Sequence, residues 1–205
     1  MTKRYLILFV IAILFAGCAT NTIPATDLYA INITCDSDQS SVKKNNHTKV
    51  LKIATPKSSA TIKNRHILYQ ENEFSLNPYA HSRWSDTPNK MLGSLFLSCI
   101  NKNTIFRTAL PSHSKGRGDY LLESTLLDFH HHINTNGSSD GIVRVEFYLI
   151  ESKSGTVVAT NEFLSKVSSE SLNTKGGVKA LNTASKNISQ RLMQWLLSLD
   201  NTITH

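Results

Sequence analysis

The chain has 205 residues, 40% of them hydrophobic and 18% charged, with 22 lysines and arginines against 15 aspartates and glutamates. That balance belongs to a folded globular chain, and the length suits one domain with a real core rather than two. The basic excess comes without any nucleic-acid-binding motif, which argues against nucleic acid as a partner.

Lys3 and Arg4 form a positive n-region, Tyr5 to Phe15 is an apolar run of eleven residues, and Ala16-Gly17 is a small-residue cleavage site before Cys18. A helix crossing the hydrocarbon core needs roughly 20 apolar residues, so this run is a leader rather than a span. Phe15-Ala16-Gly17-Cys18 resembles the lipobox of bacterial lipoproteins, with Phe15 where leucine is commoner. The resemblance implies a diacylglyceryl group on the Cys18 sulfur, cleavage between Gly17 and Cys18, and an acylated new amino terminus. Ala19 stands where an aspartate would retain the protein in the inner membrane, so the resemblance places the anchor in the outer membrane and the domain in the periplasm. The chain then divides into a signal peptide over 1–17, a lipidated tether over 18–27 and a domain over 28–205.

Leu28 to Thr34 alternates as a first strand, with Tyr29, Ile31 and Ile33 on one face. Asp36 to Thr48 is a polar loop. Val50 to Ile53 is a short strand, and Lys57 to Asn64 reads as an exposed connection. His66 to Tyr69 and Glu73 to Leu76 predict a hairpin turning near Asn72. Thr87-Pro88 suits an N-cap followed by proline at the first helical position. The helix from Pro88 to about Asn101 carries Met91, Leu92, Leu95, Phe96, Cys99 and Ile100 on one stripe.

Pro111 to Gly118 reads as a basic loop without phosphate-binding spacing. Tyr120 to Ile133 is a long strand, Ser139 to Gly141 a polar turn, and the next strand aligns Val143, Val145, Phe147 and Leu149. Ser154-Gly155 turns the chain into Val157 to Val167. Short polar turns between these three strands imply an antiparallel meander. In the last helix Val178, Leu181, Ser185, Ile188, Leu192, Trp195 and Leu199 recur at steps of three and four, and the sheet needs a cover on one face. The expected fold is therefore α+β, an antiparallel sheet with two main amphipathic helices packed on one face, in a single domain.

Seven basic residues and no acid lie between Asp38 and Glu71: Lys43, Lys44, Lys49, Lys52, Lys57, Lys63 and Arg65. A solvated basic face and a surface steering an anionic partner both fit such a run. Once Cys18 is lipidated, Cys35 and Cys99 remain. An oxidising periplasm permits them to pair, while Cys99 on the buried helix face equally suits a free small hydrophobe, so both states stay open.

The stretch Tyr79 to Leu92 reads Tyr-Ala-His-Ser-Arg-Trp-Ser-Asp-Thr-Pro-Asn-Lys-Met-Leu. It resembles the auxiliary lipoproteins of ABC-type transporters, the paraquat-inducible protein C family. Tyr79, Arg83, Trp84, Asp86, Pro88, Met91 and Leu92 match that family's pattern, and Arg65, Tyr69, Asp119-Tyr120, Phe129, Ser154-Gly155, Ala180, Ala184 and Trp195-Leu196 follow in register. The resemblance implies an outer-membrane-anchored partner of a transport system with an ATPase, a permease and a mammalian-cell-entry (MCE) domain protein that moves lipid across the envelope. A structural or assembly lipoprotein of another envelope complex is the alternative, and self-association is compatible with either.

His130-His131-His132 places two imidazoles on one strand face, but without a well-spaced third ligand, so a solvated strand end is expected and no metal. No Gly-x-Ser-x-Gly elbow and no paired carboxylates occur at useful spacing, so neither an enzyme nor a cofactor site is expected.

Overall fold

The computed structural model describes residues 25–35, 48–103 and 105–199. The leader, Cys18, the tether up to Pro24, Lys43, Lys44 and the carboxyl-terminal tail lie outside the described residues. In chain order the elements are β1 (Asp27–Tyr29), β2 (Val50–Ile53), β3 (Lys57–Ser58), β4 (His66–Asn72), β5 (Ser75–Trp84), α1 (Pro88–Lys102), β6 (Thr108–Pro111), β7 (Tyr120–Ile133), β8 (Ser139–Glu151), β9 (Val157–Ser168) and α2 (Thr174–Ser198).

The architecture is α+β, built on β7. Along one edge β7 pairs antiparallel with β8 from Tyr120↔Glu151 to Ile133↔Ser139, and β8 pairs antiparallel with β9. Along its other edge β7 takes three short strands in succession, all parallel: β2 at Tyr120 to Leu122, β3 at Thr125 and Leu126, and β4 at His131 and His132. Beyond them β6 adds parallel to β2, β5 antiparallel to β4, and β1 parallel to β5. The sheet is thus mixed, not antiparallel as expected. Hairpin turns reveal the antiparallel meander, but a strand of two to four residues carries no mark of its direction relative to a distant partner.

Both helices lie on one face of the sheet. Val143, Val145, Phe147 and Leu149 point to that face and are fully buried. The Phe147 ring stands 5.4 Å from Phe96 of α1 and 6.4 Å from Trp195 of α2, so one side chain meets both helices. In α1 the expected stripe is inward, with Leu92, Leu95, Phe96, Cys99 and Ile100 buried. Thr87 has the extended backbone of an N-cap but its side chain makes no capping bond. Asn173 does cap α2, its side chain accepting from the Gly176 N–H at 3.0 Å. Ser185, the one polar residue in the α2 seam, is fully buried and donates to the Leu181 carbonyl at 2.7 Å, so its hydroxyl needs no outside partner.

Four local expectations change. Of Leu28 to Thr34 only Leu28 and Tyr29 enter a ladder. The alternation nevertheless holds, with Tyr29, Ile31, Ile33 and Cys35 packed inward, because Asn182 of α2 brackets this arm. Its side chain accepts from the Asn32 N–H at 2.9 Å and donates to the Ala30 carbonyl at 3.3 Å. The connection after Lys57 contains β3 and a buried Ile62, and β6 precedes the basic loop. Ser139 to Gly141 is not a turn but the buried start of β8. The turn lies earlier, where Gly137 adopts φ +80° and its N–H donates to the Asn134 carbonyl at 3.1 Å. Gly141 serves packing instead, since a Cβ there would stand 2.6 Å from the backbone of Ala180 and Leu181.

Cys35 and Cys99 form a disulfide in the structure, their Cα atoms 5.2 Å apart. It fastens the arm after β1 to α1.

Candidate functional site

The residues singled out around Arg83-Trp84 meet at the corner where β5 turns into α1. Trp84 is fully buried, its ring 5.5 Å from Phe129 of β7. Its backbone exchanges two bonds with Arg65: the Trp84 N–H donates to the Arg65 carbonyl, and Arg65 Nε donates to the Trp84 carbonyl, each at 2.8 Å. Arg83 Nη1 donates to the carbonyls of Tyr79 and Ser82, both at 3.0 Å. Asp86 Oδ1 accepts from the Thr87 N–H at 2.7 Å and lies 3.5 Å from Lys90 Nζ. The backbone donor first, and Lys90 after it, hold the Asp86 carboxyl below its usual range. Pro88 is buried at the head of α1, where its missing N–H costs no helix bond. The two guanidinium groups and the Asp86 carboxylate thus bond chiefly to main-chain groups, which makes this corner a fixed joint.

Tyr79 extends the joint toward α2. Its hydroxyl lies 2.8 Å from His131 Nδ1 and 3.4 Å from the Leu172 carbonyl, and its ring packs 4.7 Å from Tyr69. Burial pushes the Tyr79 hydroxyl up to about 12, so it stays protonated. His131 is fully buried under Gly177 of α2, where a Cβ would stand 2.6 Å from the imidazole. His130 is 7% exposed, so these two residues are interior and not the solvated strand end expected. His130 and His132 share the opposite face with rings 6.2 Å apart, and His132 Nδ1 lies 3.3 Å from Gln70 Oε1. Among the described residues no group of three His, Cys, Asp or Glu is placed to hold a metal.

The buried imidazoles give the fold an acid dependence. Burial, the largest cause, holds both His130 and His131 below the usual histidine value, and their histidine neighbours add to it, while Asp128 and Asp140 oppose it. The unfolded chain therefore takes up the proton first, at about pH 6.5. Stability is intact above that pH and falls as pH drops through it, by up to about 1.4 kcal/mol per pH unit for each group. Burial raises Asp140, but bonds from Asn134, Lys166 and Ser168 outweigh it and hold the carboxyl low, so its contribution is lost only in stronger acid. Urea midpoints at pH 7.5 and 5.5 are expected to fall further apart in the wild type than in a His130→Gln/His131→Gln variant. Equal pH sensitivity of the two would contradict this assignment.

The basic segment is partly absorbed into the fold. Lys52 Nζ donates to the Ser114 carbonyl at 2.9 Å, Lys57 Nζ lies 3.5 Å from Glu123 Oε2, and Arg65 holds Trp84.

The family model for the ABC-type transport auxiliary lipoprotein component matches residues 29–193, which takes in the corner, the long strands and most of α2. The chain belongs to that family. The family is one of lipoproteins, which points to a membrane-anchored protein of the cell envelope. No curated protein matches the sequence. A crystal structure of a Xanthomonas campestris protein superposes with a TM-score of 0.78 at 18% identity, covering 86% of this chain and 98% of that one. An uncharacterised protein follows at 0.64 and 11% identity, over 84% of this chain and 99% of its own. A PelC dodecamer from Paraburkholderia phytofirmans gives 0.46 at 12% identity, over 73% and 89% of the two chains. The first two likenesses show the same fold.

Within the family match, Arg83-Trp84 and Asp86-Thr87-Pro88 stand at the join of β5 and α1. Sequence reading found them through the family pattern. It missed His131, whose environment is assembled from β5, β7 and α2 and leaves no local trace.

Proposed function

We propose that this auxiliary lipoprotein is a non-catalytic component of an MCE-type envelope lipid-transport system. Lipid on Cys18 holds it at the outer membrane, with residues 1–17 removed, residues 18–27 acting as tether and the folded domain in the periplasm. The observation that carries the reading is the family match over residues 29–193. The fold supports it: the matched residues build a rigid joint from main-chain bonds, which suits a domain that works by being held and by being contacted. Lysines of the 43–63 run, Lys43, Lys44 and Lys49 among them, would steer an acidic partner surface, an effect that weakens with salt.

The test is affinity isolation of the tagged full chain from membranes of its own cell, alongside a Cys18→Ser variant. The wild type is expected in the outer-membrane fraction together with an MCE-domain protein, and Cys18→Ser is expected to leave that fraction. Outer-membrane fractionation of Cys18→Ser would remove the anchor. Capture of a different envelope complex, with no MCE-domain protein, would favour an assembly or structural lipoprotein.

A further inference from the structure

The turn joining β4 and β5 carries Phe74, whose side chain is 95% exposed, the most exposed of the large hydrophobic residues described. The turn does not need the ring. Asn72 Oδ1 accepts from the Phe74 N–H at 3.1 Å and Gln70 Nε2 donates to the Glu73 carbonyl at 3.4 Å, so polar side chains shape the tip. An aromatic ring kept wholly in water at the end of a hairpin is available for contact with something apolar.

The path of the chain says what lies opposite it. β1 runs parallel to β5, with Asp27 beside Ser82. Since β5 starts at the hairpin tip, the chain enters β1 from the tip side. From Ser82 back to Ser75 is about 23 Å at the usual strand rise. Nine residues from Cys18 to Asp27 reach at most about 30 Å. A membrane holding Cys18 is therefore approached with this end of the sheet foremost, and the tether is only slightly longer than the distance to the tip. The polar turn at Thr135 to Ser138 lies at the same end, because β4 runs parallel to β7. The turn before Val157 lies at the other end, where Glu151 faces Tyr120.

We propose that Phe74 seats in the interface of the membrane that carries the lipid anchor, fixing the orientation of the domain on it. The proposal rests on lipidation of Cys18 as argued above. Acyl chains supply the retention, so a single ring has only to choose which end faces the bilayer, a role aromatic side chains fill at the headgroup boundary. Residues 70–77 contain Glu71 and Glu73 and no basic side chain, so the surface that fits is zwitterionic rather than anionic.

The test uses the full lipidated chain reconstituted in vesicles of phosphatidylethanolamine and phosphatidylcholine, part of the latter brominated on its acyl chains. Phe74→Trp and, for the far end, Val157→Trp are compared after subtracting the emission of the wild type, whose Trp84 and Trp195 are common to all. Phe74→Trp is expected to add blue-shifted emission that brominated lipid quenches, and Val157→Trp to add water-exposed emission that it does not. Flotation of the protein with equal quenching of both variants would overturn the docking of Phe74 while leaving the anchor intact. Failure of the wild type to float would instead overturn the anchor, and the docking with it. Shielding of the Phe74→Trp indole only after a second envelope protein is added, with none from lipid alone, would overturn the docking in favour of a protein pocket.

Discussion

Replacing Trp84 by alanine is expected to destabilise the fold by about 3 to 5 kcal/mol, the usual cost of truncating a buried aromatic. The ring is fully buried against Phe129, where the β5 corner closes onto β7. Its removal opens a cavity that the neighbours cannot fill by small shifts, because the Trp84 main chain is held by both the carbonyl and the guanidinium of Arg65. The same bonds set the entry of α1, so near-ultraviolet ellipticity is expected to change along with the urea midpoint. An unchanged midpoint would contradict the burial and make Trp84 a surface for a partner. Trp84→Phe, which keeps a ring in the site, is expected to cost less.

Removal of the Cys35–Cys99 bond is the other large effect. The two residues are 64 apart in sequence, and closing a loop of that length constrains the unfolded chain by about 4 kcal/mol in the chain-entropy account. Cys35→Ser is the informative substitution, because Cys35 is half-buried whereas Cys99 lies inside the α1 packing and would add a cavity of its own. Oxidised wild type is expected to exceed Cys35→Ser by about that amount in urea denaturation, and reductant to bring the wild type down to the variant while leaving the variant unmoved. The arm from Ala30 to Cys35, held otherwise by Asn182, is expected to lose hydrogen-exchange protection first. Insensitivity of the wild type to reductant would show that the bond contributes nothing.

The sequence by itself determined the elements whose signal repeats along many residues. Alternation from Val143 to Leu149 marks one buried and one open face, and the long strand from Tyr120 to Ile133 occupies its expected bounds. Apolar steps of three and four placed both helices on the sheet, and proline at the head of α1 marked its start. The Arg-Trp block was legible as a family pattern. What only the tertiary structure decided depends on residues far apart in the chain. The directions of β1, β2, β3, β4 and β6 follow from the route taken to reach their partners, which two to seven residues cannot encode. His130 and His131 read as a polar strand end, and His131 is interior because Gly177 and Gly141 let α2 lie directly on the strands. Cysteine spacing alone left Cys35 and Cys99 undecided, and it is the arm after β1, bracketed by Asn182, that carries one sulfur to the other. Local periodicity fixes which face of an element is apolar; which other element covers that face is a property of the packed chain.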